Sequence, residues 1–287
     1  MASSTLLKGH RMPRYAPPTR PRIVCLCSQK GGTGKTTSAI NLAGSLVLRE
    51  KKVLIIDLDA QANASIGLDI IISPEAFGTR LLLQDDRYSI ADCVYAKGSH
   101  LDVIPSHRTL IDIQQQLLLE PAGRMRLKNK LLEGGRNYDF IFLDTPPDVG
   151  PLTQSALIAA TDVVVPIDLG YFSLDGLENM LDIIEQVRSV YNSNLNLFGI
   201  ILTKYDSRTT LARSTQDVIR AKGLPLLEPP IRICVEIIRA QMDRAPIEVF
   251  APTSTASADY AAIAEQFLSP LPLVSRNVVP LRQQRSS

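Results

Sequence analysis

Two lysines and three threonines set among glycines, Lys30-Gly31-Gly32-Thr33-Gly34-Lys35-Thr36-Thr37, are the residues of this chain best suited to chemistry. Glycines let backbone N–H groups turn inward around phosphate oxygens without a Cβ in the way. A helix starting from such a loop adds its partial positive charge to the same anion. Lys35 then reaches the β and γ phosphates of a nucleotide, and the Thr36 hydroxyl sits on Mg2+. The spacing departs from the common phosphate loop, because Gln29 stands where a glycine opens that motif and Lys30 follows it. The loop is therefore a variant with a second lysine at its start.

Carboxylates appear at two further points. Asp57 and Asp59, spaced i, i+2, follow the apolar run Val53-Leu54-Ile55-Ile56. One can support the Mg2+ shell while the other orients an attacking water, with Gln61 and Asn63 as neutral partners for that water. Asp144 ends the run Phe140-Ile141-Phe142-Leu143 and precedes Thr145-Pro146-Pro147. A carboxylate there is the usual partner of a phosphate loop and holds Mg2+ through water. Thr36, Asp57 and Asp144 are the metal-site candidates. The prolines and Gly150 shape a loop able to move with the γ-phosphate.

The elements that must position these residues are short apolar runs alternating with helical patterns. Ile23 to Cys27, Val53 to Asp57, Leu101 to Pro105, Phe140 to Asp144, Val163 to Ile167, Leu197 to Thr203 and Leu224 to Leu227 read as strands. Ser38–Arg49, Pro151–Ala160, Leu174–Val190, Thr209–Lys222, Cys234–Met242 and Thr255–Phe267 read as helices. Residues 66–98 hold two short helices around a break at Pro74, and 110–132 is helical with an interruption near Pro121-Ala122-Gly123. Continuous apolar strands alternating with helices specify a mostly parallel, twisted sheet covered by helices on both faces. The fold class is a single-domain α/β P-loop NTPase. Ligands of such sheets bind at the carboxyl ends of the strands, where the loop, Asp57, Asp144 and Thr203 all fall.

With 287 residues, 45% of them apolar, the chain can bury a sizeable core, and wholesale disorder is excluded. It contains no apolar run long enough to span a bilayer, and its start lacks an apolar signal segment. Four scattered cysteines suit a reducing cytoplasm. Cys25 and Cys27, at period two in one strand, should face the same side as small buried hydrophobes. The net charge of +2 hides an asymmetry. Residues 1–22 carry Lys8, Arg11, Arg14, Arg20 and Arg22, and residues 269–287 carry Arg276, Arg282 and Arg285, with no acid in either stretch. Two basic tails on an acidic body suggest contact with a polyanion.

In motif order and spacing the chain resembles the ParA family of DNA-partition ATPases, which share the deviant Walker A loop with MinD-type proteins. The resemblance rests on Lys30–Thr37, the Asp57–Ser65 run, Asp144-Thr145-Pro146-Pro147, Val163–Gly176, Leu202–Thr209, Ala245-Pro246-Ile247 and Tyr260–Gln266. It covers residues 23–268, a ParA-like ATPase domain between tails at 1–22 and 269–287. It implies an ATP- and Mg2+-dependent switch that forms a homodimer around ATP. Lys30 would reach across to the partner subunit's phosphates, Lys35 would hold the chain's own, and Asp59 would help activate the water, so these three are the catalytic candidates. The ATP-bound dimer would bind DNA without sequence preference, and a ParB-type partner would stimulate slow hydrolysis. This places the protein in the cytoplasm on the nucleoid, segregating plasmid or chromosomal DNA. Arg208, Arg213, Arg220, Arg232 and Arg239 are available for the DNA surface.

The chain departs from the family at Ala60 and Ala62, where proline and glycine are common, and at Ile231-Arg232-Ile233-Cys234, in place of a Pro-Arg-Asn run. Thr203-Lys204-Tyr205-Asp206 also resembles the guanine-reading motif of GTPases, although the family implies adenine. Alternative functions are positioning of a non-DNA cargo, such as a protein cluster or microcompartment, and MinD-like membrane positioning. The latter needs a C-terminal amphipathic helix, which Pro270, Pro272 and Pro280 oppose. An iron–sulfur reductase is excluded by the lack of any cysteine between Cys93 and Cys234. Lys35→Ala should abolish nucleotide binding; a variant that still binds ATP in equilibrium titration would contradict the loop assignment.

Overall fold

A computed structural model describes residues 20–120, 122–169 and 173–269. Residues 1–19 and 270–287, which carry most of both basic tails, lie outside that set. The chain opens with β1 (Arg22–Leu26), α1 (Lys35–Val47), β2 (Val53–Asp57), α2 (Asn63–Gly67), α3 (Thr79–Gln84), α4 (Ile90–Cys93), β3 (Tyr95–Ala96) and β4 (Leu101–Ile104). It continues with α5 (Ile111–Leu119), α6 (Arg126–Gly134), β5 (Phe140–Asp144), α7 (Pro151–Ala159), β6 (Asp162–Ile167) and α8 (Ser173–Val190). It closes with β7 (Asn196–Leu202), α9 (Thr210–Ala221), β8 (Leu226–Leu227), α10 (Val235–Met242), α11 (Ile247–Phe250) and α12 (Thr255–Leu268).

The strands form one eight-stranded sheet in the order β3-β4-β2-β5-β1-β6-β7-β8. Every pairing is parallel except β3 with β4. β1 lies between β5 and β6, and β5 between β2 and β1, so the loop after β1, Asp57 and Asp144 emerge side by side. The register places Asp57 opposite Asp144 and Asp144 opposite Leu26.

Alternation along the strands divides the core. Cys25, Cys27, Leu54, Ile56, Ile141 and Val163 belong to the apolar cluster built with α3 to α9. Val24, Leu26, Val53, Ile55, Phe140 and Phe142 belong to the cluster built with α1, α2, α11 and α12. Cys25 and Cys27 therefore share one side, as their spacing requires. On α8 the apolar stripe ends at Val187, 5% exposed, while Val190 is 70% exposed. β3, α2 and α11 are elements that the apolar periodicity does not announce, and the strand expected at 224–227 shortens to two residues. α1 starts three residues earlier than its apolar pattern, because the phosphate loop itself winds into the first turn.

The α1 face carries one poorly solvated charge. Ser45 Oγ donates to Glu248 Oε1, while the buried Oε2 of Glu248 has no hydrogen-bond partner. Burial pushes this carboxyl from an ordinary 4.5 up to about 7, with the Ser45 hydrogen bond opposing. Between those two values the folded chain binds more protons than the unfolded one, so stability falls as pH rises through the window. The contribution lost by pH 8 is about 3 kcal/mol at most. Glu248→Gln should flatten this decline, which urea midpoints at pH 5 and pH 8 would show for both proteins.

Candidate nucleotide-binding site

The loop between β1 and α1 turns through two left-handed glycines, Gly32 at φ 75° and Gly34 at φ 89°. A side chain at either position would strain the backbone. The second glycine also lies against Thr203, whose Cγ2 is 3.3 Å from where a Cβ would stand. Thr203 fixes this approach by donating its hydroxyl to Thr33 O at 2.9 Å, and Lys204 Nζ donates to Gly32 O at 2.7 Å. The end of β7 thus straps the loop from outside. On the other side, Gln241 of α10 donates to Thr37 Oγ1 at 2.8 Å.

Lys35 is buried, its ammonium turned into the loop, with the carbonyls of Ser28 and Lys30 each at 3.4 Å. Desolvation lowers its pKa, while Asp144 and Asp59 act in the opposite direction. These long contacts leave its N–H groups available for phosphate oxygens, the role expected of it. Lys30 is different. Its side chain is 45% exposed, and Nζ donates to both carboxylate oxygens of Asp168, at the end of β6, at 2.8 Å each.

The carboxylates occupy distinct positions. Asp144 is fully buried, with Oδ2 accepting from Thr36 Oγ1 at 2.7 Å and Oδ1 lacking any partner. Burial and the neighbouring Asp57 raise its pKa well above the usual carboxylate range. Asp57 is also fully buried, but its oxygens are taken by Asp59 N at 3.1 Å, Ser65 N at 2.9 Å and Ser65 Oγ at 2.7 Å. Burial pushes its pKa to about 6, with those hydrogen bonds opposing. Asp59 caps the turn after β2 by accepting from Gln61 N at 2.9 Å. The turn ends at Ala62, one of the positions where the chain departs from its family's pattern, and Ala62 is left-handed at φ 56°. For a residue with a Cβ this costs about 1 kcal/mol.

These residues fit Mg2+. The unpartnered Oδ1 of Asp144 and the Thr36 hydroxyl beside its other oxygen are hard oxygen donors, and a divalent cation would relieve the repulsion between Asp57 and Asp144. Asp57 serves this set from behind, because its own oxygens hold the turn. Among the described residues no group of three or more His, Cys, Asp or Glu is arranged to hold a metal alone. That suits Mg2+, which fills its octahedron with water and phosphate oxygens.

The five arginines do not converge. Arg213 and Arg220 lie on α9; Arg213 Nε donates to Ser207 O at 3.1 Å, and Arg220 pairs with Glu228. Arg232 grips the buried Asp259 at 2.6 Å, and Arg239 faces Glu236 at 3.8 Å. Arg208 is folded onto Asp206, lowering that carboxyl to about 2. Among the described residues, Arg213 alone of the five has no carboxylate partner. From sequence alone, Asp168 and Gln241 have no role, and Lys204 has only a place in the guanine-like motif. Lys204 stood at a strand end, which was a usable signal, whereas Asp168 and Gln241 meet the loop only through tertiary packing.

Fold and site together define a P-loop nucleotide-binding domain, and residues 21–197 match the family model described as an AAA domain. The chain is 37% identical over 250 residues to the chromosome-partitioning ATPase Soj of Thermus thermophilus, covering 86% of this chain and 96% of that one. It is 36% identical over 200 residues to the chromosome partitioning protein ParA of Myxococcus xanthus, covering 69% and 70%. The chain belongs to the ParA/Soj family of partitioning ATPases. Among solved structures it is similar to cobyrinic acid a,c-diamide synthase from Mycobacterium smegmatis with bound ADP and magnesium. That match has a TM-score of 0.75 at 27% identity, over 86% of this chain and 94% of the other. An ATP complex of a Cyanothece McdA variant matches in fold, with a TM-score of 0.80 at 22% identity, over 89% and 100%.

Thr36→Ala should leave the loop's backbone cradle in place but remove one Mg2+ ligand. Nucleotide affinity should then lose most of its dependence on added Mg2+; an unchanged dependence in titrations with and without EDTA would remove Thr36 from the metal site.

Proposed function

We propose that this partition ATPase works as a dimerising switch. ATP with Mg2+ brings two copies together over their phosphate loops, the dimer binds DNA without reading sequence, and a ParB-type partner triggers hydrolysis and release. The observation that carries this reading is the contrast between the two loop lysines. Lys35 is buried with its ammonium turned into its own loop, while Lys30 is half-exposed and turned onto Asp168. A lysine so placed serves its own loop poorly, and only a partly exposed ion pair holds it back from a facing one.

The chemistry follows from charge placement. The loop's N–H groups and Lys35 hold the β and γ phosphates, Thr36 and Asp144 hold Mg2+, and Asp59 orients the water. Lys30 from the partner copy neutralises charge that builds on the phosphates as the bond to the γ-phosphoryl group breaks, so chemistry waits for assembly. The DNA surface belongs to α9 and its surroundings. Arg213 and Arg220 are the candidates there, joined by Arg239 on α10, while Arg232 chiefly ties the segment after β8 to α12. Such contacts are made to phosphates and weaken with salt. The relatives named for chromosome partitioning support DNA as the cargo.

A DNA-binding titration with ATP, ADP or no nucleotide, at two salt concentrations, tests the switch. Tight, salt-sensitive binding is expected only with ATP. Asp59→Ala should prolong the ATP-bound, DNA-bound state. Equal DNA affinity with ADP and ATP, or unchanged ATP turnover in Asp59→Ala, would contradict the scheme.

A further inference from the structure

The guanine-reading resemblance of Thr203-Lys204-Tyr205-Asp206 is not used by the switch described above, yet the structure places this segment directly on the nucleotide loop. Thr203 and Lys204 bond to the carbonyls of Thr33 and Gly32. Tyr205 pairs through its backbone with the 231–233 segment, N to Ile231 O at 2.9 Å and O from Ile233 N at 3.2 Å. The same segment leads into α10, whose Gln241 bonds to Thr37. The segments after β7 and β8 therefore run side by side, and between them they meet the phosphate loop at Gly32, Thr33 and Thr37. For Asp206 to meet a base, a nucleotide whose phosphates fill 31–37 would lay that base against this paired strip.

We propose that Arg208 selects adenine over guanine at this site by occupying the carboxylate of Asp206. The assignment rests on the reading of the loop as a nucleotide site and includes that placement of the base. Guanine presents an N1–H and an exocyclic NH2 on adjacent atoms of its pairing edge, a donor pair that matches a carboxylate. Adenine presents an acceptor at N1 and no amino group at C2, so it gains nothing from Asp206. In this chain the carboxylate is not open. Its Oδ1 accepts from Arg208 N at 3.0 Å and from Arg208 Nε at 2.9 Å, and its Oδ2 accepts from Arg208 Nη2 at 2.8 Å. The guanidinium fork matches the carboxylate plane in two parallel bonds, so a guanine must displace a charge-assisted pair to be read. Adenine enters without disturbing it. Lys204, the other charged residue of the motif, is committed to Gly32 and holds the strip in place. On this assignment Arg208 acts through Asp206 on the base, and it is a specificity residue before it is a DNA contact.

The test measures base selectivity without dimerisation or DNA. Mg2+–ADP and Mg2+–GDP are titrated calorimetrically into the full chain as wild type, Arg208→Ala, Arg208→Gln, and the double variant Arg208→Ala with Asp206→Asn. Arg208 is exposed, and melting temperatures confirm that each variant folds. Wild type should favour ADP. Both single variants should shift the ADP:GDP preference toward GDP by up to about fivefold, the worth of an exposed ion pair that guanine no longer has to displace. The double variant should lose that gain, because the side-chain amide that replaces the Asp206 carboxylate no longer presents two acceptors. An ADP:GDP ratio in both single variants equal to that of wild type overturns the assignment while leaving the switch intact. A wild type that binds neither diphosphate overturns the nucleotide site, and the assignment with it.

Discussion

Three carboxylates and one ammonium share a desolvated corner at the carboxyl ends of β1, β2 and β5. Out of water, like charges at that spacing repel strongly, and the chain meets the repulsion in several ways. Asp57 is wrapped in hydrogen bonds from Asp59 and Ser65, Asp144 leans on Thr36, and Lys35 sits among them as the nearest cation. The excess of negative charge is what a divalent cation neutralises, while triphosphate oxygens satisfy Lys35 and the loop N–H groups. The sheet order makes this corner possible, because only strands that neighbour one another can deliver Asp57, Asp144 and the loop to one place.

The surrounding structure holds that corner in shape. Thr203 and Lys204 strap the loop from the β7 side, Gln241 braces it from α10, and the Thr145 hydroxyl donates to Leu26 O at 2.8 Å, tying the segment after β5 to the strand that feeds the loop. Two otherwise unrelated segments thus converge on the eight-residue loop, and a third fixes the strand that leads into it. Preorganisation of this kind lowers the reorganisation needed when phosphate arrives, which is where electrostatic catalysis gains most.

Much of this was legible in the residues. β1, β2, β5, β6 and β7 are continuous aliphatic runs, and their ends carry the polar residues that ligand sites in parallel sheets require. The helices α7, α8, α9 and α12 declare themselves through Pro151, an apolar stripe, and polar residues at their starts. What stayed hidden has physical causes. β3 is two residues long and pairs antiparallel, too short for any alternation to show. α2 begins from a left-handed alanine, a start with no compositional cue. Charged partners were the hardest to foresee: Arg232 meets Asp259 across 27 residues, and Lys30 meets Asp168 across 138. An arginine tally cannot distinguish a free cation from one already neutralised, and only Arg213 of the five proved free of a carboxylate among the described residues.

The pairing of Lys30 with Asp168 bears on how the proposed switch would idle. A partly exposed ion pair of this kind is worth about 0–1 kcal/mol, enough to keep the lysine parked but little enough to yield when a triphosphate on a facing copy offers more charge. If Lys30 serves a partner's phosphates, as proposed, a solitary chain is insulated from spending ATP in vain. Its fuel consumption would then rise with the square of local protein concentration at low occupancy, so the protein would act as a detector of crowding as well as a motor.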